Sequence, residues 1–534
     1  MQRPGQPYPE IAWGAWGDPA RAVDLSGVAR ELLRDGLGVD QPGRPIPEPA
    51  ALELGEPRAG DALVELLCGL LGREHVLADA GSRARHMRGR STLDLLRLRA
   101  GDVGDAPDLV LLPGCHEEVG ELLSLCATER VAVVPFGGGT SVVGGLAPRR
   151  EGFAAVAALD LRRMNALAEL DPDSRTATLE PGLRGPEAEM LLAEHGFTIG
   201  HHPQSFEYAT IGGFAATRSS GQASAGYGRF DERVVGVRLA TPAGTLELGR
   251  APRSAAGPDL RQLVLGSEGA FGVITSVRVE VTPLPEARLY EGWWLPSFPD
   301  GLAALRRLAQ DGPLPSVLRL SDEAESALNL ARPAELGGAS ARGCLAIVGH
   351  EGAHAEVARR RALCASVMRE CGGELDEAAG EGWRTARYSG PYLRDALLDA
   401  GALAETLETA TFWSALPGLH EAVGAALRES LGAQGAPAVV MCHVSHVYRS
   451  GASLYFTVAC RQLEDPLAQW RAAKQAAIEA ILAVGATVTH HHGVGTDHRD
   501  ALAREIGPLG IAVLAAVKGV LDPQGIMNPG VLVA

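Results

Sequence analysis

VAVVPFGGGTSVVGGL, residues 131–146, decides how the rest of the chain is read. A β-type hydrophobic run, Val131 to Val134, meets Pro135 and Phe136, and Gly137, Gly138 and Gly139 then precede Thr140 and Ser141. Glycine lets the backbone approach a ligand closely because no Cβ intervenes. Successive N–H groups in such a turn converge on an anion. The stretch reads as a pyrophosphate cradle at the end of a strand. It is not a P-loop, because no lysine follows, and it does not open a long helix as G-x-G-x-x-G does. A tight glycine turn without a ligand is the competing reading, and the surrounding chain decides between them.

Upstream, APDLVLLP (106–113) is strand-like and CHEEVGELLSLCATE (115–129) helix-like. With 131–136 this gives a β–α–β order, which requires a parallel pair and a crossover. Downstream, short strands are expected at 154–161, 175–182, 233–244, 245–249 and 271–285, with a helix over 186–195. Three further segments in this region are rich in small and hydroxyl residues: 200–221, 225–232 and 266–275. Such surfaces admit a flat ring against backbone. Residues 105–286 therefore form one domain. Residues 1–104 read as an N-terminal helical extension, in which the basic stretch HMRGRSTLDLLRLRAGD (86–102) reads as a solvated helix face for most of its arginines, with lining of a site as the alternative. Residues 287–485 read as a second, cap domain for the substrate; within it 403–489 alternate β-α-β-β-α-β, a ferredoxin-like order with a tight turn at Ser450-Gly451. Residues 486–534 carry THHHGVGTDHR, a helix and LDPQGIMNPG, and return to the first domain.

Composition narrows the function. At ~100–200 residues per domain, 534 residues should hold two to four domains. A net charge of −16 argues against nucleic acid as a partner, so any phosphate site must be a local basic cluster. The eight cysteines are scattered without a C-x-x-C, which fits reduced thiols in a cytoplasm rather than disulfides or zinc. No secretory signal is expected in MQRPGQPYPEIAWGAWGD. No membrane span is expected either, since no run of ~18 apolar residues exists.

His490, His491 and His492 need a chemical reason. Side chains of an extended segment alternate, so His490 and His492 should share one face and His491 the other, which argues against a metal site. Histidines suit proton transfer near neutral pH, and cationic ones suit an anionic substrate. Taken alone, Tyr448 reads as a core tyrosine on a strand, and Arg394 as an ion pair with Asp395. A guanidinium fork also matches phosphate or carboxylate. His443 and His446 precede Tyr448 on the same strand.

PDLVLLPGCHEEV, PFGGGTSVVGGL, PQSFEYATIGG, ATRSSG, GSEGAFGVIT, PYLRD, HVYRSGASLYF, HHHGVG and LDPQGIMNPG occur in this order over about residues 85–534. In that combination the chain resembles FAD-binding proteins of the vanillyl-alcohol oxidase/PCMH type, and within them the alkylglycerone-phosphate (alkyldihydroxyacetonephosphate) synthases. The resemblance implies an α+β fold: a two-subdomain PCMH-type FAD-binding domain, a ferredoxin-like α/β cap and a C-terminal helical segment. It implies that Pro135, Phe136, Gly137, Gly138, Gly139, Thr140 and Ser141 wrap the FAD pyrophosphate. Gln204, Ser205, Phe206, Glu207, Tyr208, Ala209 and Thr210, with Ala216, Thr217, Arg218 and Ser219, would line the flavin and ribityl chain. Glu268, Gly269, Ala270, Phe271, Gly272, Val273 and Ile274 would hold the adenosine end. Tyr448 would donate and accept a proton, helped by a depressed pKa beside Arg394 or a cationic histidine. His490, His491 and His492 would sit at the flavin's reactive edge, and Arg394 and Arg319 would bind the substrate's phosphate or carboxylate. No histidine lies in the cradle, so FAD is expected to be non-covalent.

The activity implied is exchange of the acyl group of acyl-dihydroxyacetone phosphate for a fatty alcohol through a flavin N5 adduct. FAD-linked oxidation of a 2-hydroxy acid or alcohol, and flavin binding without turnover, stay open as alternatives. Partners implied are a small-molecule or lipid substrate, a second copy in a homodimer and, through a lipid, the periphery of a membrane. The chain departs from the family pattern at Thr496, where a basic residue is usual, and at Gln204, where an aspartate is usual.

Overall fold

The computed structural model describes residues 10–147, 149–328 and 342–533. Strands β1 (Val76–Leu77), β2 (Leu109–Leu111), β3 (Val131–Phe136) and β4 (Ala155–Asp160) form a sheet in the order β1-β2-β4-β3. Both β2 and β3 run parallel to β4, and the helix His116–Thr128 makes the crossover. A parallel sheet is covered on its faces, which is why β3 and β4 are buried almost throughout and read as continuous apolar runs.

The N-terminal hundred residues are more than a helical extension. They donate β1 as an antiparallel edge strand to this sheet. Their helix Thr92–Arg99 also docks on the cap, with the Thr92 hydroxyl donating to Ala404 O at 2.7 Å. The basic stretch expected to be solvated is largely buried, including Arg88, Arg90 and Arg99. Paired acids make that burial tolerable: Arg88 lies 3.3 Å from Asp105, and Arg99 lies 2.7 Å from Asp399.

A second, antiparallel sheet runs β5-β6-β10-β8-β9: β5 (Leu167–Asp171), β6 (Thr176–Leu179), β8 (Val234–Thr241), β9 (Gly244–Leu248) and β10 (Val273–Glu280). The short β7 (Phe197–Thr198) pairs with β11 (Thr282–Pro283). The C-terminal segment returns to β3: Val133 N–H donates to Ile526 O, and Asn528 N–H donates to Val133 O, each at 2.8 Å.

The cap is one seven-stranded sheet, all antiparallel, in the order β15-β12-β14-β13-β17-β18-β16. Its strands are β12 (Ala287–Leu295), β13 (Val317–Ser321), β14 (Cys344–Gly352), β15 (Glu374–Asp376), β16 (Ala402–Phe412), β17 (Val439–Val447) and β18 (Gly451–Arg461). The order resolves into two ferredoxin-like units. The first is β12, helix Phe298–Asp311, β13, β14, helix His354–Glu370 and β15. The second is β16, helix Leu416–Ala433, β17, β18 and helix Pro466–Val484, with its last strand reduced to one bridge, Ala410–Thr487. The sequence reading finds the second unit and misses the first, whose β13 and β15 span only five and three residues. Second strands join the units, through Leu320↔Val444 and Ser321↔His443.

Helices cover one face of this sheet, and Leu305, Met368, Leu419, Trp470 and Phe456 share its core. The other face, with Arg319, His443, Tyr455 and Thr457, looks into a cavity shared with the glycine stretch that follows β3. Phe456 is fully buried in the helix-side core, so Phe456→Ala should cost about 3–5 kcal/mol. Urea unfolding followed by tryptophan fluorescence measures this loss.

Candidate active site

The cavity measures about 450 Å³. On one wall lies the glycine cradle, residues Pro135 to Ser141. Its glycines are required by close packing: a Cβ on Gly138 would lie 1.9 Å from Tyr208 O, and one on Gly137 would lie 2.5 Å from Thr210 Oγ1. The N–H groups of Gly138, Gly139, Thr140, Ser141 and Val142 donate to no protein acceptor among the described residues. Five consecutive free donors beside a cavity fit the pyrophosphate of FAD. Gln204, Ser205, Ala209, Thr210, Ala216, Thr217 and Ser219 line the neighbouring wall, as do Glu268, Gly269, Gly272 and Ile274.

Seven of the residues expected around the cofactor do not line the cavity: Phe206, Glu207, Tyr208, Arg218, Ala270, Phe271 and Val273. They do structural work instead. Glu207 pairs with Arg21, and Tyr208 packs edge-on against Trp16 at 5.8 Å. Arg218 donates from Nε to Leu265 O at 2.9 Å and from Nη2 to Gln262 O at 2.7 Å. Ala270 and Phe271 belong to the core under the C-terminus, and Val273 to that of the parallel sheet.

Residues 489–495 form an irregular turn rather than a strand. Two buried carboxylates hold it. Glu408 on β16 accepts the N–H groups of His490, His491 and His492 at 2.7, 3.1 and 3.0 Å, and the Thr489 hydroxyl at 2.7 Å. Burial opposes charge on Glu408, but the three histidines and Thr489 outweigh it and hold the carboxyl well below its usual range. Glu268, at φ +50°, accepts Val494 N–H at 2.8 Å and Gly495 N–H at 3.0 Å. Burial dominates there and pushes the carboxyl up to about 7 despite these two donors. The Asn528 amide completes the joint, donating to Gly145 O at 3.0 Å and to Glu268 O at 2.6 Å.

Because the segment is a turn, its rings do not alternate as expected. His490 Nδ1 and His491 Nδ1 lie 3.0 Å apart, and His490 Nε2 meets the Tyr448 hydroxyl at 2.6 Å. His446 joins them: one ring nitrogen each of His446, His490 and His491 falls within 4.8 Å of the others, the group among the described residues with metal-ligand spacing. Burial pushes all these histidines down, His492 to about 3 and His490 and His446 well below the usual value. Their rings are therefore neutral at neutral pH.

Tyr448 sits in the turn between β17 and β18, not on the strand. Burial raises its hydroxyl to about 12, although Arg229 and Ser220 act in the other direction. This corrects the expectation of a pKa depressed by Arg394 or a cationic histidine. His443 and His446 are three apart and would face opposite sides of a regular strand. A bulge between Val444 and Val447 re-aims the second, and both line the cavity. His491 and His492 line it too, whereas Tyr448 and His490 stand behind them.

Both expected substrate arginines reach the cavity wall, and both are paired. Arg319 bonds Glu325 and lies 3.0 Å from His443 Nε2. Arg394 donates to Asp395 Oδ1 at 3.0 and 2.8 Å and to Arg90 O at 2.6 Å. Sequence reasoning missed Glu408, Glu325, Tyr455 and Arg229. The available signal for Glu408 was a charged residue inside the Ala/Leu/Thr run ALAETLETATF.

Residues 107–249 match the family described as FAD binding domain, and residues 284–532 the family described as FAD linked oxidases, C-terminal domain. The chain is 32% identical to an alkyldihydroxyacetonephosphate synthase of Dictyostelium discoideum, over 98% of this chain and 94% of that protein. It is 30% identical to the FAD-linked oxidoreductase YgcU of Escherichia coli strain K12, over 80% and 89% of the two chains. A solved structure of an alkyldihydroxyacetonephosphate synthase superposes with a TM-score of 0.83 at 30% identity, covering 98% of this chain and 99% of that one. FAD is accordingly the cofactor.

Two outcomes are expected. An amide at position 408 cannot accept every donor that Glu408 accepts, so Glu408→Gln should cost about 1–3 kcal/mol for each N–H left unpaired. Thermal unfolding and hydrogen exchange of the 490–492 amides check this. Glu268 keeps its proton in the folded chain up to about pH 7, whereas an unfolded glutamate releases it near ~4.3. The folded state binds the extra proton between those values, so stability from this group falls as pH rises through that window and stays lost above it. Glu268→Gln should flatten the slope of urea midpoints between about pH 5 and about pH 8.

Proposed function

The chain belongs to the alkyldihydroxyacetonephosphate synthase family, and from that premise we propose that it replaces the acyl group of acyl-dihydroxyacetone phosphate by a fatty alcohol, forming an ether lipid precursor. The observation that carries the reading is the chain of neutral groups Tyr448, His490 and His491, joined at 2.6 and 3.0 Å and ending at the cavity wall. The exchange leaves no net redox change, so what it demands of the protein is a proton taken from the substrate and later returned. His491 receives that proton at its ring and shares it with His490 across their 3.0 Å contact. The Tyr448 phenol, hydrogen-bonded to His490 Nε2, holds that ring in place, and the proton returns from the same pair. Neutral rings each present an unprotonated nitrogen, and burial, which disfavours the cation, favours release of the proton back to the substrate. FAD, when bound, supplies the ring at which the substrate carbon reacts. Leu393, Leu397, Met441 and Ala459 give the cavity an apolar stretch for the alkyl tail.

A lipid substrate brings the chain to the periphery of a membrane in a cytoplasm; among the described residues no helix is long and apolar enough to cross one. Assembly as a homodimer is part of the same reading. The second reading, oxidation of a 2-hydroxy acid or alcohol, is favoured by the resemblance to the FAD-linked oxidoreductase and would use the same relay.

Anaerobic mixing separates the two. Formation of the ether product with no lasting bleaching of the flavin is expected. Bleaching by a hydroxy acid, with no acyl-for-alkoxy exchange, would overturn the synthase reading. Tyr448→Phe should lower kcat for the exchange by about 10²- to 10⁴-fold with flavin content unchanged.

A further inference from the structure

Residues 12–18, AWGAWGD, form a tight loop closed by Ala12 N–H donating to Gly17 O at 2.7 Å. Gly14 and Gly17 have φ of +64° and +69°, values that strain an L side chain. Trp13 anchors one side, its indole N–H donating to Pro47 O at 2.9 Å. Trp16 is buried, lies edge-on to Tyr208 and reaches the wall of the same cavity as the glycine cradle.

The loop meets the helix Gly390–Asp399, which carries Arg394. Asp18 N–H donates to the Tyr392 hydroxyl at 3.0 Å, and Trp16 N–H donates to Asp395 Oδ2 at 2.5 Å. The second contact decides how Asp395 meets its neighbour. A carboxylate beside a guanidinium commonly takes it with both oxygens in a fork. Here Trp16 occupies Oδ2, and Arg394 meets Oδ1 alone, through Nε and Nη2. A guanidinium has five N–H donors. Two go to Asp395 Oδ1 and one, from Nη1, to Arg90 O, which leaves one on each terminal nitrogen for a ligand. Arg90 N–H in turn donates to Ser141 O at 2.7 Å, at the end of the cradle. Arg394 is thus fixed from the cofactor side through Arg90 and from the N-terminal side through Asp395.

We propose that the loop 12–18 is a positioning element of the substrate site: by holding Asp395 Oδ2, Trp16 stops the carboxylate from taking the whole Arg394 fork and keeps two donors for the substrate's phosphate. This rests on the synthase reading above, with Arg394 as its anion-binding arginine. Gly17 gives a handle on the loop that touches no group at the phosphate. A Cβ there would lie 2.1 Å from the hydroxyl of the buried Tyr392, so Gly17→Ala must move the loop off the helix.

The test uses the FAD-loaded protein, with dihydroxyacetone phosphate titrated by calorimetry. Arg394→Gln should weaken binding about 10- to 100-fold, the loss of a hydrogen bond to a charged group. Gly17→Ala should weaken it about 3- to 10-fold in the parent chain and less than about twofold in the Arg394→Gln background, because two residues acting through one contact are not additive. In turnover Gly17→Ala should raise KM for the acyl substrate more than it lowers kcat, and leave KM for the fatty alcohol alone. Asp395→Asn, whose amide cannot accept from both Trp16 and Arg394, should show the same coupling and serves if Gly17→Ala does not fold. A loss on Gly17→Ala that is equal with and without Arg394, or no loss at all, would overturn the positioning role while the synthase reading stands. Parent-like binding by Arg394→Gln would overturn the proposal at its premise. Failure of the parent chain to bind dihydroxyacetone phosphate or its acyl ester would overturn it together with the synthase reading.

Discussion

The site depends on how seven residues without secondary structure are held in place. A turn such as 489–495 must find partners for its backbone N–H groups, because a buried unpaired donor costs as much as a lost hydrogen bond. Here the partners are two carboxylates from opposite sides. Glu408 from the cap takes three successive N–H groups, and Glu268 from the FAD-binding domain takes two. The histidine turn is thus the joint between the domains, and its geometry exists only when both are folded. The two carboxylates respond to burial differently: one has enough donors and neighbouring rings to stay ionised, and the other does not.

Three local departures from regularity then assemble the chemistry around that joint. The bulge in β17 brings His446 to the same wall as His443. The tight turn after β17 carries Tyr448 back toward His490. The motif AGYGRFDE, which has no metal or nucleophile to advertise it, supplies Arg229, whose Nη1 reaches His490 O at 3.4 Å. Bulges and turns of this kind re-aim side chains where a regular strand would point them away.

The FAD-binding domain was largely legible in the sequence. Its glycine turns announce close backbone approach, and its strands alternate with clear breaks; β5, LAELD, escaped because it is short, none of its residues is fully buried, and its apolar residues do not alternate. The cap was half legible, since strands of three to five residues carry too few side chains for a period to register. At the site, residue types were readable and their environments were not. Nothing in HHHGVG foretells that its rings are neutral, because their protonation follows from burial and from a glutamate about 80 positions earlier. Arg394 illustrates the converse: adjacency to Asp395 is visible in PYLRD, and the pair does form, yet it also faces the cavity.

The two ferredoxin-like units divide labour along the chain. The second unit and the turn that follows it hold the histidine cluster and its anchor: Glu408, His443, His446, Tyr448 and His490. Arg394 sits on neither unit; it lies in the stretch that connects β15 to β16, on the ten-residue helix Gly390–Asp399. One cavity is thus walled by two separate stretches of chain, the sheet with the turn after it and a connector outside both units, so a change in the connector reshapes the wall without breaking a strand pairing.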